Sequence, residues 1–300
     1  MPTAYVDLHC HSRASDGEYP PAEVARRAAE AGLVAIALTD HDTTGGVAEA
    51  ARAGEPLGVR VVPGCEFSVK APWGELHVLG YFLPPGDEAL EAFLTETRAA
   101  RRRRVEQMVA RLSRLGIGLE LADVLAAAGG DALGRPHVAR ALVERGVTRD
   151  FADAFTRYLG RGRPAYVEKP LPTLNQVATL VHSVGGLTVA AHLGEHGTER
   201  QLRQLQDQGL DGVEVRHPSH SAAIETRLAA IAERLGLVTS GGSDWHGDTD
   251  LGDPHAELGE LDVPAEWLDR LEARRPRRPS PLHPAPPAHN AVIDGDRSPR

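Results

Sequence analysis

The stretch Val6-Asp7-Leu8-His9-Cys10-His11-Ser12 decides how this 300-residue chain is read. A short apolar strand runs straight into two histidines. In an extended chain successive side chains alternate faces, so His9 and His11 point the same way and Cys10 points back. That arrangement suits two imidazole nitrogens on one metal ion. Alone the pair is a weak signal, because 14 histidines in 300 residues supply about 0.65 His-x-His pairs by chance.

The same event recurs along the chain: an apolar run ends and a metal-type ligand follows. Leu33 to Leu38 leads to Thr39-Asp40-His41-Asp42, and Val59 to Val62 leads to Pro63-Gly64-Cys65-Glu66. His77 lies inside the run Leu76 to Leu79. Thr188 to Ala191 leads to His192, Val213 to Val215 to Arg216-His217, and Leu237 to Ser240 to Gly241-Gly242-Ser243-Asp244-Trp245-His246. Strands alternating with helices imply a parallel α/β sheet, and ligands gather at the carboxyl ends of such strands. The pattern therefore predicts one mouth shared by all these side chains.

Composition sets bounds on function. Hydrophobic content of 41% and charged content of 25% are ordinary for a soluble globular chain. No apolar run approaches the roughly 18 residues of a membrane span and no leader pattern is present, so a cytoplasmic protein without a membrane is expected. Cys10 and Cys65 are the only cysteines, read as reduced residues packed behind the ligands. A net charge of −9 argues against coating nucleic acid through bulk charge, while leaving room for a local basic lining.

The chain divides by pattern. Residues 1–86 and 164–275 carry the strand and helix alternation. Between them, 87–163 shows helical periodicity only, in segments over Asp87 to Leu115, Leu119 to Ala128, Pro136 to Arg145 and Phe151 to Leu159. This is read as an all-helical insertion capping the substrate. Residues 276–300, dense in Pro, Arg, Ser and Asp, are expected to form a disordered tail. No segment for docking an obligate protein partner is evident.

His9, His11, His41, His77, His192 and His246 give six imidazoles, and Asp16, Glu66 and Asp244 give three carboxylates. Asp16 follows His9 by seven residues in a loop able to fold back. Nine donors exceed what one ion uses, so two or three ions are implied. The donor mix suits Mn, with Fe, Zn or Mg as other possibilities. Three divalent ions against three carboxylates leave a surplus of about +3, which calls for an anion such as a phosphate ester. Asp40, beside His41, is expected to orient an imidazole from behind. Trp245 is read as packing. His182, His196, His255, His283 and His289 are read as structural or exposed.

The elements Asp7 to Ser12, Ser15-Asp16-Gly17, Leu38 to Asp42, Pro63 to Glu66 and Gly242 to His246, with His77 and His192, resemble the polymerase and histidinol phosphatase (PHP) phosphoesterases over residues 4 to about 250. The resemblance implies a distorted (β/α)7 barrel with a trinuclear site. It implies His9, His11, Glu66 and Asp244 on one ion, Glu66 bridging to a second held by His77 and His192, and Asp16, His41 and His246 on the third. Catalytic roles then fall to Asp16, His41, Glu66 and His246.

A finer resemblance is to the subgroup that cleaves nucleoside 3′,5′-bisphosphates and trims short RNA from its 5′ end. It is carried by the helical insertion, Gly134-Arg135-Pro136-His137, Gly162 to Tyr166 and His217-Pro218-Ser219-His220. It implies a metal-bound hydroxide attacking phosphorus in line, with Arg101, Arg135, His137 and His220 binding substrate. Arg135 could fork onto a phosphate or form a surface salt bridge. His137 could instead belong to the turn that starts its helix. Of Arg101 to Arg104 only one or two can face a substrate at helical spacing. The rival readings are a histidinol-phosphate phosphatase, a polymerase-associated proofreading domain and a metal-binding module without activity.

Overall fold

The computed structural model describes residues 4–128, 133–248 and 256–275. His255, His283, His289 and the tail from 276 onward lie outside the described residues. In chain order the strands are β1 (Tyr5–Cys10), β2 (Ala35–Leu38), β3 (Arg60–Ala71), β4 (Gly74–Tyr81), β5 (Leu187–Ala190), β6 (Gly212–Arg216), β7 (Val238–Gly241) and β8 (Val263–Pro264). The helices are α1 (Pro21–Glu30), α2 (Val47–Gly54), α3 (Glu88–Arg114), α4 (Leu121–Ala127), α5 (Arg135–Glu144), α6 (Phe151–Ala154), α7 (Leu174–Ser183), α8 (Glu199–Gln206), α9 (Ala222–Leu235) and α10 (Ala265–Arg274).

From β1 to β7 each strand bonds to its sequence neighbour, and β8 adds antiparallel to Tyr5 and Val6 of β1. Every residue of β2 and β5 is buried, as expected of strands covered on both faces. The sheet curls until its ends nearly meet. There the chain leaving β7 pairs with the end of β1: the Asp244 amide donates to the His9 carbonyl (2.8 Å) and the His11 amide to the Trp245 carbonyl (2.9 Å). Gly242 permits that approach, because a Cβ there would lie 2.3 Å from the His9 nitrogen. Asp7 locks the seam by accepting from the amides of His9 (3.2 Å) and Ser243 (3.0 Å). The architecture is the distorted α/β barrel that the sequence implied.

The all-parallel expectation fails at β4, which runs antiparallel to both β3 and β5. Only Pro72 and Trp73 separate β3 from β4, too short a connection for a helical crossover, and a tight hairpin reverses the chain. His77 therefore sits near the start of its strand, opposite Ser68. That start lies beside the ends of the parallel strands, so the reversal keeps His77 at the common mouth.

Between β4 and β5 the elements are helical. Asp87 caps α3 by accepting from the Leu90 amide (3.2 Å). Helix α3 belongs to two cores: Leu90 and Leu94 pack into the cluster under β3, β4 and α7, whereas Val105, Met108 and Leu112 pack with Val124, Val138, Leu142 and Leu159. One continuous 27-residue helix thus joins barrel and insertion. Helix α6 runs on into a π-helical turn over Phe155–Leu159. Helix α10, which the sequence reading did not anticipate, packs Leu268 and Leu271 beneath the barrel. Among the described residues no helix is long and apolar enough to cross a membrane.

Candidate metal centre

Strand β3 carries Glu66 to the mouth, fully buried, and five imidazoles surround its carboxylate. Oε1 faces His77 Nδ1 at 2.8 Å and His192 Nε2 at 3.2 Å. Oε2 faces His9 Nε2 at 3.4 Å, His11 Nε2 at 3.2 Å and His41 Nδ1 at 3.2 Å. The register explains part of this, since His41 just beyond β2 aligns with Glu66. Burial would raise the Glu66 carboxyl, but His41, His77 and His9 outweigh it and hold the group well below the usual carboxylate range.

Further donors complete the mouth. Asp244 Oδ1 lies 3.2 Å from both His9 Nε2 and His11 Nε2. Asp16 lies between His11 (3.8 Å), His41 (3.8 Å) and His246 (3.5 Å). Among the described residues four groups have donor atoms close enough to share an ion: His9, His11, Glu66 and Asp244; His11, Asp16, His41 and His246; His41, Glu66 and His77; and His9, Glu214 and His217. His9 Nε2, both ring nitrogens of His11, His41 Nδ1 and Asp244 Oδ1 are buried without a hydrogen-bond partner among the described residues. Buried polar atoms in folded proteins are paired, so a cluster of orphaned nitrogens and oxygens aimed at common points fits bound cations. Backbone strain marks the same place: Asp42, His192 and Asp244 have φ of 50°, 31° and 53°, a region costly for residues other than glycine.

A supporting layer fixes the rings. Glu214 of β6 was not singled out by the sequence reading, yet its Oε1 bonds His9 Nδ1 (3.0 Å) and its Oε2 accepts from the His192 amide (2.7 Å). This is the carboxylate behind a histidine that orients metal ligands. Glu75 does the same for His77 Nε2 (3.3 Å) and also accepts from Lys169 Nζ (2.6 Å). His217 Nε2 lies 3.4 Å from Asp244 Oδ2. Asp40 departs from expectation: it bonds no imidazole, and accepts instead from the Ser12 amide and hydroxyl and the Ser15 hydroxyl, each at 2.7 Å. Those bonds clamp the loop that presents Asp16. Cys10 and Cys65 are free, buried thiols behind the site, and Trp245 packs against Tyr19 with rings 5.6 Å apart.

Beside the donors lies a cavity of about 390 Å³ lined by the cations Arg101, Arg104, Arg135 and Lys169 together with Asp16, His41, Glu66, His77, His192, Asp244 and His246. Arg101 and Arg104 are 7% and 6% exposed, whereas Arg102 and Arg103 pair outward with Glu106 and Glu96. Arg101 is anchored by Asp42, and its Nη2 has no partner among the described residues. Burial, and then the neighbouring Arg135, lowers the Arg104 guanidinium to about 10. Burial, and then Arg101, lowers Lys169 to about 8.

The other two residues expected to bind substrate lie differently. His137 does not line the cavity; its Nδ1 accepts from the Gly134 amide (3.0 Å) and so caps α5. His220 is corrected: its Nδ1 bonds the Val215 carbonyl (2.9 Å) and its Nε2 accepts from the Gly194 amide (3.1 Å). With both nitrogens engaged by backbone, His220 buttresses the loop after His192 and has no atom to offer a ligand.

The PHP domain matches residues 7–94. The 3′,5′-nucleoside bisphosphate phosphatase of Chromobacterium violaceum is 38% identical over 251 residues, 81% of this chain and 87% of that protein. The 5′-3′ exoribonuclease Rnm of Escherichia coli is 34% identical over 269 residues, 86% of this chain and 90% of its own length. Among solved structures, a Bifidobacterium adolescentis protein provisionally described as a metal-dependent phosphoesterase superposes with a TM-score of 0.81 at 35% identity, covering 92% of this chain and 98% of its own.

Proposed function

The chain belongs to the PHP family and is a metal-dependent phosphoesterase, and from that premise we propose that it removes the 3′-phosphate of nucleoside 3′,5′-bisphosphates and trims short 5′-phosphorylated RNA from the 5′ end. One observation carries the substrate reading: metal-type donors and four cations line the same cavity. A substrate with one phosphate at the reacting centre and a second within reach of the cations matches that lining. The names of the Chromobacterium and Escherichia relatives support the same class.

In this reading His9, His11, Glu66 and Asp244 would hold one ion, Glu66, His77 and His192 a second, and Asp16, His41 and His246 a third, with Mn²⁺ as the proposed metal. Such ions would supply Lewis-acid polarisation of the phosphoryl group. The chain's own residues do the rest. Glu214 and Glu75 hold the His9 and His77 rings in place. Asp42 fixes Arg101 so that its unpaired Nη2, together with Arg135, receives the second phosphate. The insertion serves as the cap, because α3 brings Arg101 and Arg104 over the mouth.

The test is a phosphoester panel on the full chain loaded with Mn²⁺. A nucleoside 3′,5′-bisphosphate and a 5′-phosphorylated dinucleotide should be turned over faster than monophosphates, with release from the 3′ position. A preference for histidinol phosphate would replace this reading with a small-phosphomonoester phosphatase.

A further inference from the structure

A second cavity of about 310 Å³ adjoins the first and shares Glu75, His77 and His192 with it. Beyond those residues it is lined by Trp73, Leu76, Leu193 and His196. Trp73 and His196 stack with ring centroids 4.9 Å apart and planes 6° from parallel. His196 is exposed and Trp73 half-buried, so the pair presents a flat aromatic ledge at the opening.

The two chain segments leave the metal centre side by side. Trp73 precedes His77 by four residues and His196 follows His192 by four, and His77 and His192 are the two rings on Oε1 of Glu66. Glu75 and His77 occupy alternate positions of β4 and so share a face, and Trp73, in the turn just before that strand, lines the same cavity. The ledge therefore stands in a cavity that shares His77 and His192 with the reacting centre.

We propose that this ledge is the stacking site for the nucleobase on the 3′ side of the scissile phosphodiester, which deepens the reading above and rests on it. If the first nucleotide of an RNA places its 5′-phosphate among Arg101, Arg135 and their neighbours, the scissile phosphate lies at the metal donors. The second nucleotide must then leave by another opening. The cavity reached through His77 and His192 is of nucleotide size and ends in aromatic faces. Stacking on such faces suits an exonuclease, because every base has a π-face and the contact tolerates any sequence. A nucleoside 3′,5′-bisphosphate has no second base and leaves the ledge empty.

The experiment measures kcat/KM for a 5′-phosphorylated dinucleotide and for the matching nucleoside 3′,5′-bisphosphate, in the wild type and in Trp73→Ala, Trp73→Phe and His196→Ala. The ratio of dinucleotide to bisphosphate should fall about five- to a hundredfold in Trp73→Ala, fall less in His196→Ala and recover in Trp73→Phe. A dinucleotide abasic at its second position should show no such dependence on Trp73. His196 is exposed, so its variant keeps the test valid should Trp73→Ala unfold. An unchanged ratio in both alanine variants, or equal dependence with the abasic substrate, overturns the ledge. A wild type active on the bisphosphate and inert on the dinucleotide also overturns it, together with the RNA half of the reading above, while leaving the bisphosphate half intact. Inactivity on both overturns that reading itself.

Discussion

Arg101, in the middle of the long helix α3, forms a buried ion pair with Asp42, the residue immediately after the candidate ligand His41. Arg98 reinforces the join by donating to the Asp42 carbonyl (2.9 Å). Insertion and metal mouth are thus coupled through one residue with a strained backbone. Removing one partner of a buried pair leaves the other charge uncompensated, at a cost of about 3–5 kcal/mol. Asp42→Ala should therefore lower stability in urea by that order and weaken bisphosphate turnover. Asp42→Ala with wild-type stability and kcat/KM would show that the pair couples nothing.

Glu66 offers one oxygen to two imidazoles and the other to three. Glu66→Ala should remove more than one ion per chain by elemental analysis and bring phosphoesterase activity to background. Retention of the full metal complement would mean that the neighbouring histidines hold the ions without a bridging carboxylate.

Arg135 lines the basic wall with its guanidinium 5.6 Å from the Phe155 ring centroid and 5.8 Å from that of Tyr166. A charge-assisted contact to phosphate is worth about 1.5–3 kcal/mol. Arg135→Ala should thus lower kcat/KM for a 3′,5′-bisphosphate roughly ten- to a hundredfold, while hydrolysis of a simple aryl phosphate changes little. Equal impairment on both substrates would assign Arg135 to the fold and not to the second phosphate.

Metal uptake should expel protons. In the metal-free chain burial pulls the His11 ring down, but the Asp244 and Glu66 carboxylates, each 3.2 Å from its Nε2, prevail and push it up to about 10. His77 is likewise lowered by burial and raised further by Glu66, to about 9. Both raised groups hold protons at pH 7 and must lose them to bind a cation. Affinity should accordingly rise with pH up to about 9 to 10 and weaken below it. Titration calorimetry of the metal-free protein in buffers of different ionisation enthalpy should report a net release of protons on metal binding at pH 7. A heat independent of buffer would contradict the protonation scheme.

What the sequence made legible was whatever sits next to a strand end. His9 and His11 share a face because strands alternate, and His41, Glu66, His192, Asp244 and His246 follow apolar runs that could hardly be anything but strands. Glu214 escaped notice because it lies inside its strand, and its role comes from the adjacency of β6 to β5. Lys169 and Glu75 meet through a chain separation of 94 residues, with no local motif to announce them. Arg104 shares its helical face with Arg101, a signal that the spacing did contain. Asp40 was read from its proximity in sequence to a ligand and His220 from the motif His217 to His220, and neither signal shows that their partners are loop hydroxyls and backbone. The reversal of β4 could have been read from the two residues that separate Ala71 from Gly74, since no helix fits there.

The seam where Asp7 binds the Ser243 amide joins residues 236 positions apart, and the same seam sets Asp244 against His9 and His11. Nearly the whole polypeptide must therefore leave the ribosome before these donors can meet. Synthesis delivers about 5–20 residues per second, so a nascent chain exposes its His-x-His pair for on the order of ten seconds or more with Asp244 still absent. High contact order also makes the closing step slow. The full donor set consequently exists only once Asp244 and His246 have emerged, and the partly made chain can offer a passing ion only an incomplete set of ligands.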